Sequence, residues 1–161
     1  MLDSKYPSLD NPMNIKENMS IIMRKEAEAI QNIVVTDDFE ASINLAMTCP
    51  GKVITTGIGK AGFMAQKFAA TLSSTGTPSF FIHPAEAGHG DLGMIDADDL
   101  IFAFSTSGKS IEVIEMLENA KALGVTRIVG VTSHIDSPLR QLSELVLDMG
   151  GEIDEACPLN L

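Results

Sequence analysis

The stretch LIFAFSTSGKS, residues 100–110, decides the fold. Its first five residues, Leu100 to Phe104, are apolar without alternation, which is the pattern of a strand covered on both faces. Ser105, Thr106, Ser107, Gly108, Lys109 and Ser110 follow at once. From there Ile111, Ile114, Leu117, Ala120 and Leu123 recur at helical spacing. A strand, a hydroxyl-rich turn and a helix start therefore succeed one another directly. The first-turn N–H groups of a helix lack intrahelical partners and carry the positive end of its dipole. Four hydroxyls add further donors, so the junction is a seat for an anion, a phosphate above all.

Working outward, four more apolar runs resemble this one. Val53–Thr56, Ser79–Ile82 and Arg127–Thr132 read as strands, and Leu145–Leu147 as a weaker fifth. Helical patterns separate them: about Lys60–Leu72, with Met64, Phe68 and Leu72 on one face, then Ile111–Leu123, then a short helix opened by Pro138. Alternating strands and helices predict an α/β fold, a doubly wound αβα sandwich around a parallel sheet of about five strands. Before the Pro50-Gly51 break, two helices are expected, from Met13 to about Val35 and from Asp37, a candidate N-cap, to about Met47. This divides the chain into an N-terminal helical segment, 1–48, packed on the same domain, and a phosphate-binding domain, 49–161.

The chain has 161 residues, 45% hydrophobic and 20% charged, with 11 basic against 22 acidic side chains and a net charge of −11. That field opposes binding to nucleic acid or to an anionic membrane, and no run approaches a membrane span. An anionic ligand must be held by local donors. Cys49 and Cys157 have no metal or redox spacing, and the polar N-terminus has no apolar signal core, so a cytoplasmic setting is expected.

GIGKAG, Gly57 to Gly62, fits the G-x-G-x-x-G pattern between a strand and a helix. A dinucleotide site would need an acid near the end of the next strand, about 20 residues on. That strand ends Phe81-Ile82-His83-Pro84, with no acid before Glu86. The loop suits a small phosphorylated ligand instead, with Gly57 and Gly59 bringing backbone close and Lys60 supplying charge. Gly108-Lys109-Ser110 is no P-loop: Ala103 stands where the first glycine belongs, and no metal-binding Asp follows Val131-Thr132-Ser133. The binding set is therefore Gly57, Gly59, Lys60, Ser105, Thr106, Ser107 and Ser110. HPAEAGHGDLGMI, residues 83–95, carries two histidines and two acids. Its spacing matches no standard zinc pattern; no metal is expected, with His89 the weak candidate for one. His83 reads as a loop tie, and His89, between two glycines, as a proton shuttle. His134 reads as structural. Glu112, in a helix first turn, is either a dipole partner or a catalytic acid.

GIGKAG, then ATLSSTGTPSFFIHPAEAGHGDLGMI, FSTSGKSIE and EACPL, together resemble the sugar isomerase (SIS) domain of bacterial D-arabinose-5-phosphate isomerases. The resemblance runs from about Cys49 to the end and is strongest over residues 71–95. It implies a flavodoxin-like SIS fold, a phosphosugar ligand, no cofactor and a homo-oligomer, a tetramer in the family. It also implies interconversion of D-ribulose 5-phosphate and D-arabinose 5-phosphate, on the route to the lipopolysaccharide sugar Kdo. By position, Ser105, Thr106, Ser107 and Ser110 match the family's phosphate loop and Lys60 its first-loop lysine. Glu112, Glu155 and His89 match groups in or beside its active site.

Such an isomerase opens the sugar ring and moves one proton between neighbouring carbons through a cis-enediolate. Glu112 is assigned the proton transfer, His89 help with ring opening, Lys60 stabilisation of the enediolate or phosphate, and Glu155 a supporting place. Lys109 stands where the family usually carries an acid. Relatives continue into a His-Pro-Gly-Gly stretch and a pair of CBS modules beyond this chain, so the domain is expected to be C-terminally incomplete. The alternative is a non-catalytic phosphosugar-binding or sensing SIS module.

Overall fold

A computed structural model describes residues 15–134 and 136–151. They fall into two compact units, residues 15–34 with 150–151, and Val35–Met149. The first holds α1 (Ile15–Gln31), a helix with no buried residue.

The second unit is built in the order α2 (Asp37–Met47), β1 (Val53–Gly57), α3 (Gly59–Ser74), β2 (Ser79–Ile82), α4 (Pro84–Ala87), β3 (Leu100–Phe104), α5 (Ile111–Ala122), β4 (Arg127–Thr132), α6 (Pro138–Leu142) and β5 (Leu145–Asp148). All neighbouring strands pair in parallel, in the order β2-β1-β3-β4-β5. This is the doubly wound fold that the alternation predicts. Helices lie on both faces because a parallel sheet must be joined by crossovers that return over it.

Two apolar clusters flank the sheet. One gathers Ile54, Ile101 and Ile128 with Val113, Met116 and Leu117 of α5 and Leu139 of α6. The other sets Val53, Leu100, Phe102 and Val129 against Phe68 and Leu72 of α3 and Leu45 of α2. Phe68 meets the rings of Phe102 and Phe104 edge-on, with centroids 5.1 and 5.7 Å apart. Successive residues of one strand thus face opposite layers, which is why the runs are apolar throughout.

The connection read as a polar loop, residues 83–95, contains α4 and a 3₁₀ turn, Asp91–Met94. Pro84 begins α4 with its fixed φ, and neither piece is long enough to leave a periodic pattern in the sequence.

At the amino ends of the strands, opposite the glycine loops, one buried acid ties two turns. Asp99 is fully buried; Oδ1 accepts from Lys52 N at 2.7 Å and Oδ2 from Asp96 N at 2.8 Å. Lys52 Nζ lies 3.2 Å from Oδ2 and 3.0 Å from Asp96 Oδ2. The Asp96 hydrogen bond raises the Lys52 ammonium above its ordinary value, partial burial opposes it, and Asp99 adds to the rise. While its carboxylate partners are ionised, a cation raised in this way stabilises the fold fully below the ordinary lysine range, and that contribution is lost as pH rises through the raised value.

Asp99→Ala leaves two part-buried amides without their acceptor, so a loss of about 2 kcal/mol is expected in urea unfolding. Asp99→Asn, which keeps one acceptor, should lose less.

Candidate functional site

The β1 and β3 strands are neighbours, and Gly57 at the end of one is level with Phe104 at the end of the other. Both glycine-bearing loops therefore leave the same edge of the sheet, at the point where strand order reverses. In doubly wound sheets this crevice beyond the strand carboxyl ends is where ligands bind. Ile82 pairs with Thr56, so the His83 segment starts from that edge too.

The first loop is shaped by close packing. A Cβ on Gly62 would lie 2.7 Å from the carbonyl oxygen of Gly57, so α3 sits almost in contact with the end of β1. Thr55 Oγ1 reinforces this by donating to Ala65 O at 2.9 Å inside the core. Lys60 is exposed in the first turn of α3.

The second loop has its carbonyls held below and its donors above. Thr106 O accepts from Ser133 N and from Thr132 Oγ1, each at 3.0 Å, and His134 Nδ1 lies 3.0 Å away. A carbonyl only accepts, so in that contact Nδ1 carries the proton. Gly108 O accepts from Leu139 N at 3.1 Å. Among the described residues nothing accepts from the amides of Thr106, Ser107 and Ser110. Ser105 Oγ and Ser110 Oγ are 3.0 Å apart across the loop, and Ser110 is the N-cap residue of α5 without capping it through its side chain. The amides of Thr106, Ser107 and Ser110 thus lack acceptors among the described residues at the amino end of α5, beside the paired Ser105 and Ser110 hydroxyls.

Gly108 makes this turn feasible. Its φ is +62°, and a Cβ would strike Ser137 Oγ and Cβ. Ser137 is almost fully buried, and its hydroxyl has no partner among the described residues.

The remaining expected residues are placed as follows. Glu112 is half-buried in the first turn of α5, one turn from the serines, and its carboxylate makes no hydrogen bond or ion pair among the described residues. His89 is exposed just after α4, its amide donating to Glu86 O at 2.9 Å. The α4 residue Ala87 packs in the same cluster as Val113 of α5, which ties the His89 segment to the helix bearing Glu112. Glu155 lies outside the described residues. No group of three His, Cys, Asp or Glu residues converges as a metal site among the described residues. Sequence reasoning missed Thr132 and Ser137, and it gave His134 only a general structural place. The one available signal was a run of hydroxyl residues, Thr132-Ser133 and Ser137, at the end of the strand beside the phosphate loop.

A parallel sheet with two glycine-bearing loops and a hydroxyl-rich helix start at its switch point defines a doubly wound α/β domain. Residues 46–158 match the model of the SIS domain, and the chain belongs to that family. Arabinose 5-phosphate isomerase KdsD of Pseudomonas aeruginosa is 42% identical over 158 residues, covering 92% of this chain and 48% of its own. Arabinose 5-phosphate isomerase GutQ of Salmonella typhimurium is 46% identical over 125 residues, 78% of this chain and 38% of its own. The chain spans about half the length of the curated relatives it matches. Among solved structures, a Bacteroides fragilis protein involved in capsule formation superposes with a TM-score of 0.85 at 39% identity, covering 91% of this chain and 78% of that one. An Escherichia coli CFT073 protein in complex with arabinose 5-phosphate gives 0.78 at 35% identity, covering 87% and 77%. No helix among the described residues is long and apolar enough to cross a membrane.

Gly108→Ala should cost about 2 kcal/mol through its backbone conformation and its collision with Ser137. It should also weaken inorganic phosphate binding. Thermal unfolding and titration calorimetry check the two effects.

Proposed function

We propose that this SIS domain binds D-arabinose 5-phosphate and carries the catalytic groups that interconvert it with D-ribulose 5-phosphate. The observation that supports this most is the Escherichia coli relative solved with arabinose 5-phosphate, 35% identical across 87% of this chain. The donor set of Ser105–Ser110 takes the phosphate, with Gly57, Gly59 and Lys60 closing over it from the neighbouring strand end. A phosphate so held fixes the far end of the open-chain sugar and leaves its C1–C2 end to the acid and base groups.

Glu112 removes the C2 proton of the aldose, giving the cis-enediolate; the proton of the C2 hydroxyl passes to O1, so that C2 becomes the ketone and C1 the alcohol, as Glu112 returns its proton to C1. His89 moves the proton that opens the sugar ring. Lys60 offsets the negative charge of the enediolate or the phosphate. Glu155 supports the site from the C-terminal stretch. In this reading the chain acts in the cytoplasmic synthesis of a lipopolysaccharide sugar, and it works as a homo-oligomer. The apolar side chains of α1 support the second point: Ile15, Met19, Met23 and Ile30 are all exposed, between 59% and 69%.

Incubating the protein with D-arabinose 5-phosphate, chelator present, in deuterated water and following it by NMR tests the reaction. D-Ribulose 5-phosphate labelled at C1 is expected, since a proton held by a carboxylate exchanges with solvent. Binding without turnover would leave a phosphosugar-sensing module instead. Glu112→Gln should lower kcat by about 10²- to 10⁴-fold while substrate still binds; unchanged turnover would remove Glu112 from the mechanism. Analytical ultracentrifugation should show an assembly larger than the monomer, and Met19→Glu with Met23→Glu should shift it toward the monomer.

A further inference from the structure

Two stretches, Thr132–His134 and Ser137–Leu139, bond to or lie against the Ser105–Ser110 loop. Thr106 O faces three groups at 3.0 Å, Ser133 N, Thr132 Oγ1 and His134 Nδ1, more than its two lone pairs ordinarily serve. Thr132 Oγ1 also accepts from His134 N at 3.2 Å, so this one hydroxyl joins the loop to the turn after β4. Thr132 is 1% exposed, and nothing but its hydroxyl distinguishes it sterically from a valine.

The second carbonyl of the loop serves α6. Leu139 N belongs to the first turn of that helix, where the side chain of the N-cap residue is the usual acceptor. The N-cap is Ser137, yet it forms no side-chain cap. Gly108 O has taken the amide of Leu139, and the hydroxyl of Ser137 is left buried and unpartnered against Gly108. A loop carbonyl thus replaces a helix cap that the sequence itself supplies.

We propose that Thr132 is a positioning residue of the phosphate site: it holds the Thr106 carbonyl down, and the seat for phosphate and the first turn of α6 form together through Gly108. The proposal rests on the reading of Ser105–Ser110 as the phosphate seat. The Thr106 carbonyl and the Ser107 amide belong to one planar peptide group, so pinning the carbonyl turns the Ser107 N–H to the opposite side, toward the ligand; with Thr106 released the peptide can turn over and present an oxygen to the anion. Neither Thr132 nor α6 touches the ligand in this scheme. Their effect is on the geometry of the donors, which is what sets anion affinity at a built site.

The test compares wild type, Thr132→Val and Thr132→Ser. Amide hydrogen exchange is measured at Ser133 and Leu139 without ligand, and the Kd for inorganic phosphate by calorimetry. Loss of one buried hydrogen bond should speed exchange at both amides and weaken phosphate by about tenfold in Thr132→Val. Thr132→Ser should restore both, which a merely packed threonine would not do. Added phosphate should slow exchange at Leu139 in wild type. Unchanged exchange and affinity in Thr132→Val, or a defect that serine does not repair, would overturn the proposal. If wild type binds no phosphate, the reading of the loop as an anion seat fails; exchange at Leu139 in Thr132→Val still decides whether Thr132 controls the loop.

Discussion

A parallel sheet imposes one constraint from which the rest follows: every connection must carry the chain back over the sheet before the next strand can start. All five strands therefore end at the same edge, and the fold delivers the residues that follow them there. Gly57, His83, Ser105 and Ser133 each stand at or just beyond a strand end. The reversal of strand order between β1 and β3 then parts the crossovers and opens a crevice at that edge. The chemistry is placed by topology before any side chain is chosen.

Within that crevice the direction of single peptide groups matters more than net charge. The chain carries a charge of −11, so its long-range field disfavours a phosphate. Local donors must overcome that field, and they do so only if carbonyl oxygens point elsewhere. In the loop after β3 two carbonyls, those of Thr106 and Gly108, are taken by the neighbouring strand end and by α6. Gly108 is needed there for its left-handed backbone and for the absence of a side chain where Ser137 lies. The chain belongs to the SIS family, and an Escherichia coli relative was solved with arabinose 5-phosphate.

Strands and long helices were legible because burial on both faces writes itself as unbroken apolar runs. Val53–Gly57 and Leu100–Phe104 emerge at nearly the expected bounds, as does α5 with its helical spacing. The hydroxyl-rich turn that leads into α5 was legible as well, since hydroxyls, a glycine and a helix start are all visible in the letters. Three features were not. The short helices within residues 83–95 have too few turns to show a period. The support beneath the loop works through backbone carbonyls, which every residue possesses, so Thr132 and Ser137 look like ordinary hydroxyl residues. The tie made by Asp99 depends on two turns meeting, Gly51-Lys52 and Asp96–Asp99, and distant turns leave no joint signature.

The register of the sheet also bears on how the chain acquires it. Val53 and its successors pair with Ser79–Ile82 on one side and with Leu100–Phe104 on the other. The β1–β2 pair closes across one helix, but its other side stays open until β3 has been synthesised. Such an open edge, with apolar residues above and below, is a template for pairing between chains. Nascent protein is thus most prone to aggregate in the interval when β1 and β2 have emerged and β3 has not. Closing that longer loop is entropically slower than closing the β1–β2 pair, so the open side of β1 is covered only when β3 docks, and β3 in turn waits for β4.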